Sequence, residues 1–282
     1  MLQMCELFEI SRSSYYAWSN RDLDKDFKLK EEIKNIFIES RKTYGSRRIH
    51  AELISRGIEI GHNKVSRLKR DLDLYPKMRR KYKITTDSKH TNKISDNLLN
   101  RNFSSEVIME KVVSDITYVS TLEGWLYLST LIDLSTRKVV SYKISDVMDV
   151  SIVKDVIENG FKGVKIPDGA IFHSDRGSQY SSNDVRNLLK DLGVNQSMSR
   201  KGNCWDMVTE RSRSNAVAES FFKTLKYDGD IKRVFKTKKE AKLAIFEFIE
   251  VFYNNKRRHS SLNYLTPNEA EKYLINRNKM VA

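Results

Sequence analysis

The stretch from residue 111 to residue 145 constrains the fold more than any other part of the chain. VVSDITYVS, WLYLSTLIDL and RKVVSYKI follow one another there as β-rich segments, parted by turns at Glu123-Gly124 and Ser135-Thr136. Short runs rich in β-branched and aromatic residues, bounded by turn residues, read as strands. Turns this brief make consecutive strands antiparallel neighbours. A helical period then returns through Val153, Val156 and Ile157, and a strand AIFHS follows. A second helix carries Val185, Leu188 and Leu189, and a short strand VNQSM closes the pattern. The resulting order, βββαβαβ, describes a mixed sheet with helices on both faces.

Ahead of this region the chain is helical. Residues 1 to 20 read as a small helix, a break at Ser11 and a second short helix through Tyr15 and Trp18. From Asp26, Ile33, Phe37 and Ile38 form an apolar stripe. A turn at Thr43-Tyr44-Gly45 leads to a second helix through Ile49, Leu53 and Ile54. Gly57 and Gly61 bracket the next turn, Asn63 is the expected N-cap, and Val65 with Leu68 marks the buried side of NKVSRLKRDL. Helix, tight turn and basic helix is the layout of a helix-turn-helix DNA reader. A chain of 282 residues exceeds a usual single domain and is expected to form two folding units. The expected division is a helical DNA-binding region at 1–83, a polar linker at 84–105 and an α/β core with C-terminal helices at 106–282.

Charge supports a nucleic-acid partner. The chain has 51 Lys and Arg against 37 Asp and Glu, a net +14, and such an excess favours polyanions. Half of it lies between Lys64 and Lys83, where nine Lys or Arg face only Asp71 and Asp73. Lys64, Arg67, Lys69 and Arg70 are the candidate DNA contacts there; the same charges also suit a solvated helix face and a basic linker. Cys5 and Cys204 are far apart and lack a CxxC partner, so neither a cysteine zinc site nor a disulfide framework is supported. With no signal-peptide pattern and no apolar run of about 18 residues, the expected location is cytoplasmic, without membrane contact.

The strand order is that of the ribonuclease H-like fold, in which the first and fourth strands are neighbours. Asp115 sits within the first strand and Asp175 at the end of the fourth, in IFHSDRGSQY, so the two carboxylates can converge on a hard divalent cation. Taken singly, Asp115 also suits a strand-end charge, and Asp175 an Asx turn before Gly177. NAVAESFFKTLK offers a third carboxylate. On a helical wheel Val217, Phe221 and Leu225 share one face, while Glu219, Lys223 and Lys226 share the opposite one. That second face equally suits an ordinary exposed Glu/Lys pairing.

SDITYV, EGWLYLSTLIDLSTRKVV, HSDRGSQY, SMSRKGNCWD, NAVAESFFKTLK and YNNKRRHSSLNYLTP closely resemble the integrase-type core of bacterial insertion-sequence transposases. They are similar to the second reading frame product, OrfB, within the DDE transposase and retroviral integrase superfamily. YGSRRIHAELISRGIEIGHNKVSRLKR resembles the helix-turn-helix segment of the same proteins, so the likeness covers nearly the whole chain. The resemblance implies a catalytic and metal-binding triad of Asp115, Asp175 and Glu219, with Lys226 two turns beyond the glutamate. It implies two Mg²⁺ ions, with Mn²⁺ as the alternative, and a nucleophile that is water or a DNA 3′-hydroxyl, without a covalent protein intermediate. The chemistry agrees, since two ions about 4 Å apart serve an in-line displacement at phosphorus. The implied partners are double-stranded DNA, at element terminal repeats and at the target, a second copy on DNA, and an upstream reading-frame product. A bacterial, nucleoid-associated setting follows. His173 and Arg176, beside Asp175, suit either the scissile phosphate or ordering of the ligand turn, with packing an equal alternative for His173. Arg257, Arg258 and His259 follow an apolar helix through Phe248, Ile249 and Phe252, and suit either a phosphate contact or a basic C-cap.

The chain departs from this pattern between Asp206 and Asn215. Relatives run directly from CWD into NAVAE, whereas eight residues, MVTERSRS, intervene here. They leave 43 residues between Asp175 and Glu219, and removing them restores the family spacing. A surface loop of that length costs about 1 kcal/mol; within a helix it would rotate the flanking segments by about 80°. Glu210 is a rival third ligand, with 34 residues between it and Asp175, but no apolar stripe opposes it. Val112-Val113 also stands where relatives often carry a tryptophan. The expected activity is cleavage of element ends and strand transfer of the 3′-hydroxyl. The alternatives are a catalytically impaired DNA-binding relative and a ribonuclease H-type nuclease. For DNA binding, log affinity should fall linearly with log salt, with slope near −0.9 per phosphate neutralised; a titration of duplex binding against NaCl measures it, and a flat line would remove the basic segment from the interface.

Overall fold

The computed structural model describes residues 5, 8, 10–19, 23–77, 95–99, 102–199 and 216–281. The chain divides into two compact units, Met1–Met78 and Arg79–Ala282. Most of the first expected helix, the basic stretch from Arg79, residues 84–94 of the expected linker, Glu210 and MVTERSRS lie outside the described residues.

The first unit contains α1 (Arg12–Ser19), α2 (Leu23–Glu39), α3 (Ser46–Ser55) and α4 (His62–Asp71). Ile33, Ile36 and Phe37 of α2 meet Ile49 and Leu53 of α3 and Val65 and Leu68 of α4 in one core, joined by Tyr44. Ile36 takes the place expected for Ile38, which is 53% exposed. Spacings of three and four keep residues on one helical face, whereas five turns the side chain away. Ile54, one residue past Leu53, is exposed for the same reason. Gly57 has φ +78 and closes α3, with Ile58 N–H donating back to Leu53 O at 2.9 Å, a left-handed helix end that glycine adopts without strain. Gly61, not Asn63, is the N-cap of α4, in extended backbone; Asn63 lies inside the first turn. Two histidines brace this corner, His50 Nε2 at 2.8 Å from Ile60 O and His62 Nε2 at 3.1 Å from Ser46 Oγ.

The second unit contains β1 (Lys111–Thr121), β2 (Gly124–Asp133), β3 (Val139–Ser145), α5 (Val150–Phe161), β4 (Ile171–Ser174), α6 (Asn183–Asp191) and β5 (Asn195–Met198). After these come α7 (Ala216–Asp228), α8 (Lys238–Phe246), a π-helical segment Glu247–Tyr253, a short 3₁₀ turn Ser260–Leu262, and α9 (Pro267–Val281). The strands form one sheet in the order β3-β2-β1-β4-β5. β1 to β3 pair antiparallel, while β4 pairs parallel with both β1 and β5. This is the α/β, ribonuclease H-like arrangement expected from the element order. Successive side chains of a strand point to opposite faces, so neighbouring Val112 and Val113 enter different cores. Val112, Leu131 and Phe172 pack with α5 and α6 through Val153, Val156, Ile157, Val185 and Leu189. Val113, Val119 and Leu128 pack with α7, α8 and the π-helical segment. A fully buried side chain of this size contributes about 1.5–3 kcal/mol. No described helix is long and apolar enough to cross a membrane.

The turn leaving β2 is built on a buried carboxylate. Asp133 Oδ1 accepts from Met109 N–H at 3.1 Å, and Oδ2 accepts from the Ser135 hydroxyl, Thr136 N–H and the Thr136 hydroxyl at 2.6, 3.0 and 2.6 Å. Removing the acceptor leaves buried donors without partners, at about 1–3 kcal/mol each. Asp133→Ala should therefore lower stability by about 3 kcal/mol or more, seen as a fall in the urea midpoint of unfolding at unchanged m-value.

Candidate active site

Strand pairing brings two carboxylates to the same level. The parallel register sets Val113 of β1 beside His173 of β4, and Asp115 and Asp175 each lie two residues further along. Asp115 shares the sheet face of Val113, the face covered by α7. Within α7, Ala218, Phe221, Phe222 and Leu225 are buried, and the opposite stripe carries Glu219, Lys223 and Lys226. Lys226 Nζ lies 5.0 Å from the centre of the Tyr118 ring. Lys223 Nζ stands 3.8 Å from Glu219 Oε2, so the helix-surface pairing foreseen for this face is present beside the site.

The electrostatics of Asp115 report on the cluster. Burial pushes its carboxyl up to about 8, and the charges of Asp175 and Glu219 add to the shift. Ile116 N–H, donating to Asp115 Oδ1 at 2.8 Å, and the charge of Lys226 act in the opposite direction. Burial lowers the affinity of Lys226 for its proton, against the pull of Tyr118 and Asp115. Asp175 and Glu219 thus each add negative charge at Asp115, a repulsion that the charge of a divalent cation would relieve. Their hard oxygen donors fit such an ion. Among the described residues no three His, Cys, Asp or Glu groups are gathered closely enough to hold a metal ion.

Asp175 is held by its own turn. Its Oδ1 accepts from Gly177 N–H at 2.9 Å, and a Cβ on Gly177 would stand 3.1 Å from that oxygen and 3.2 Å from Gln179 Oε1. The Asx turn read from the sequence thus coexists with a place beside Asp115. Behind the pair lies Tyr180, which sequence reasoning did not single out. It is buried, its hydroxyl 2.9 Å from Ser114 Oγ, and burial together with Asp115 and Asp175 holds its phenol well above the ordinary range. A tyrosine five residues after Asp175 was visible, but its position under the sheet was not.

Several other candidates serve the scaffold. His173 is buried, with Nδ1 2.9 Å from Ser197 Oγ across the β4–β5 pair, the packing alternative of its two readings. Arg176 Nε donates to Ser199 O at 2.6 Å and ties the ligand turn to the residue after β5. Arg257 and Arg258, expected at a phosphate or as a basic cap, are instead buried. Arg257 Nε lies 3.2 Å from Asp228 Oδ2. Arg258 Nη1 donates to Tyr264 O at 2.9 Å and lies 3.5 Å from Glu269 Oε2. A guanidinium ringed by internal acceptors is withdrawn from DNA. In the first unit, α4 buries Val65 and Leu68 and leaves Arg67 and Arg70 exposed, with Lys64 and Lys69 partly so; Lys69 Nζ lies 5.6 Å from the Tyr75 ring centre.

Comparison with known proteins follows the same division. A family model described as Integrase core domain matches residues 109–204, a second of that description matches 192–267, and an HTH-like domain matches 24–82. The Insertion element IS600 uncharacterized 31 kDa protein of Shigella sonnei is 40% identical over 268 residues, which cover 94% of this chain and 96% of that protein. The transposase for insertion sequence element IS904 of Lactococcus lactis subsp. lactis (strain IL1403) is 38% identical, over 87% of this chain and 94% of its own. Transposase InsF for insertion sequence IS3A of Escherichia coli (strain K12) is 32% identical, over 95% and 92%. With an integrase core behind a helix-turn-helix-like DNA-binding unit, this chain belongs to the insertion-sequence transposases, DNA-acting enzymes of the DDE polynucleotidyl transferase type.

Proposed function

We propose that Asp115, Asp175 and Glu219 are the catalytic and metal-binding triad of this transposase. One observation supports the reading: Asp175, two residues past the β1–β4 register pair Val113–His173, and Glu219 of α7 both act electrostatically on Asp115. The integrase core implies use of a divalent cation. We assign two Mg²⁺ ions, with Mn²⁺ as the alternative, because carboxylate oxygens suit hard cations that keep water and phosphate as further ligands. When bound, such ions favour deprotonation of the attacking hydroxyl and steady the leaving oxygen of an in-line displacement.

The chain's own groups supply the remaining parts. Asp115 and Asp175 offer oxygens from neighbouring strands, and the sheet limits their relative movement. Glu219 closes the site from α7. Lys226 and Lys223, on the same stripe, hold the DNA backbone by its phosphates. The nucleophile is water for cleavage and the freed 3′-hydroxyl for transfer, so no protein nucleophile is needed. α4 reads the terminal repeat from the other unit through Lys64, Arg67, Lys69 and Arg70. An element has two ends, so the working form is a homo-oligomer on DNA, joined by an upstream reading-frame product at the nucleoid. The eight residues before Asn215 favour one second reading, a DNA-binding relative with impaired catalysis, and the same measurement separates the two.

Asp175→Asn should abolish metal-dependent cleavage of a terminal-repeat duplex and leave duplex affinity within about twofold, by gel assay and anisotropy. Equal cleavage by variant and wild type would sink the triad; absence of cleavage in both would support the impaired relative. Asp115 gives a pH test in EDTA. Its folded value of about 8 exceeds the unfolded value of about 3.9. The stability it contributes is full below about pH 4 and is lost as pH rises through about 8. The melting temperature of Asp115→Asn relative to wild type should therefore climb from about pH 5 to about pH 9, and a pH-independent difference would take Asp115 out of the like-charge cluster.

A further inference from the structure

We infer that the segment Tyr253–His259 clasps α7 from its C-terminal end and so sets the direction of Glu219, independently of how the chain arrives at Ala216. This rests on the proposed role of Glu219 and adds the residues that position it.

The contacts fall on one side of the helix. Asp228, the last residue of α7, and Arg257 are each 3% exposed and meet at 3.2 Å. Arg257 Nη2 reaches Thr224 Oγ1 at 3.5 Å, one turn earlier, and Nη1 lies 3.2 Å from His259 Nε2. The His259 ring stands edge-on to Tyr253 at 5.0 Å, and Tyr253 stands edge-on to Phe221 at 4.8 Å. Gly229 ends the helix where a Cβ would lie 2.5 Å from Leu225 O and 2.7 Å from the Phe248 ring, so the chain leaves α7 pressed against the π-helical segment. Phe221, Thr224, Leu225 and Asp228 form one stripe, and Glu219, Lys223 and Lys226 form another about 180° away.

A helix gripped along one stripe cannot turn about its axis without breaking those contacts. A planar guanidinium that engages several partners fixes orientation in a way a point charge does not. Displacement of a catalytic group by about 1 Å costs about 100-fold in rate, so a modest roll of α7 would be felt at Glu219. The eight residues 207–214, outside the described residues, precede the helix and not its clasped end. Arg257 thus acts as a positioning residue.

The experiment compares wild type, Arg257→Lys, Thr224→Val and a chain lacking residues 207–214, each as the full chain. Arg257→Lys keeps the charge beside Asp228 but loses the fork. It should lower kcat for terminal-repeat cleavage at least tenfold, raise the Mg²⁺ concentration for half-maximal rate severalfold, and leave duplex Kd within twofold. Thr224→Val should move the same quantities less, in the same direction. In metal-free protein, amide exchange in α7 should quicken in both variants. Deleting 207–214 should change kcat less than threefold. Loss of activity with an unchanged Mg²⁺ midpoint and unchanged α7 exchange would reduce Arg257 to a stability role and overturn the inference. So would a tenfold or larger effect of the deletion. If Arg257→Lys does not fold, the Thr224→Val result decides. Failure of the triad itself would appear separately, as cleavage that survives Asp175→Asn.

Discussion

The parallel pairing of β1 with β4 is the constraint on which the rest of the core depends. Residues 111–113 and 171–173 share a register, and that register alone fixes the relative height of Asp115 and Asp175. A slip of one residue would send one of the side chains to the other sheet face. The slip is opposed on both sides, because Val112 and Phe172 are committed to one core and Val113 to the other. Hydrophobic alternation in β1 and β4 thus specifies the relative placement of two carboxylates.

Holding like charges together costs stability, and the cost shows at Asp115, pushed up to about 8 chiefly by burial and then by Asp175. Two other buried charged groups are instead well partnered. Asp133 accepts four hydrogen bonds, and Arg257 is held by Asp228 and Thr224. Asp133 and Asp115 lie on adjacent strands and are both buried to some degree, yet they differ in kind: Asp133 accepts four hydrogen bonds, whereas Asp115 accepts from Ile116 N–H and feels the negative charges of Asp175 and Glu219.

The arginines of the YNNKRRHSSLNYLTP string show where a linear reading stops. Two consecutive arginines and a histidine after an apolar helix look like a phosphate-binding surface, and composition cannot distinguish that from an internal clasp. The deciding partners, Asp228, Thr224, Tyr264 and Glu269, come from other turns of the chain. By contrast, Arg67 and Arg70 occupy positions whose outward direction follows from Val65 and Leu68 within a single helix. The misread Ile38 and Asn63 have local causes: a spacing of five residues leaves the buried stripe, and a glycine two residues earlier caps the helix.

By itself the sequence determined the element order, the two sheet faces, the polarity of α4 and α7, and the family strings, because these depend on periodicity within one segment and on local turn chemistry. The order of strands also implied that β1 and β4 are neighbours. Only the tertiary structure decided which charged residues face outward and which close on internal partners. It alone placed Tyr180 beneath the carboxylates and Arg257 on the back of the glutamate's helix. Burial and pairing of a charge depend on groups distant in the chain, and their free energies are set by three-dimensional surroundings that no single stretch of residues encodes.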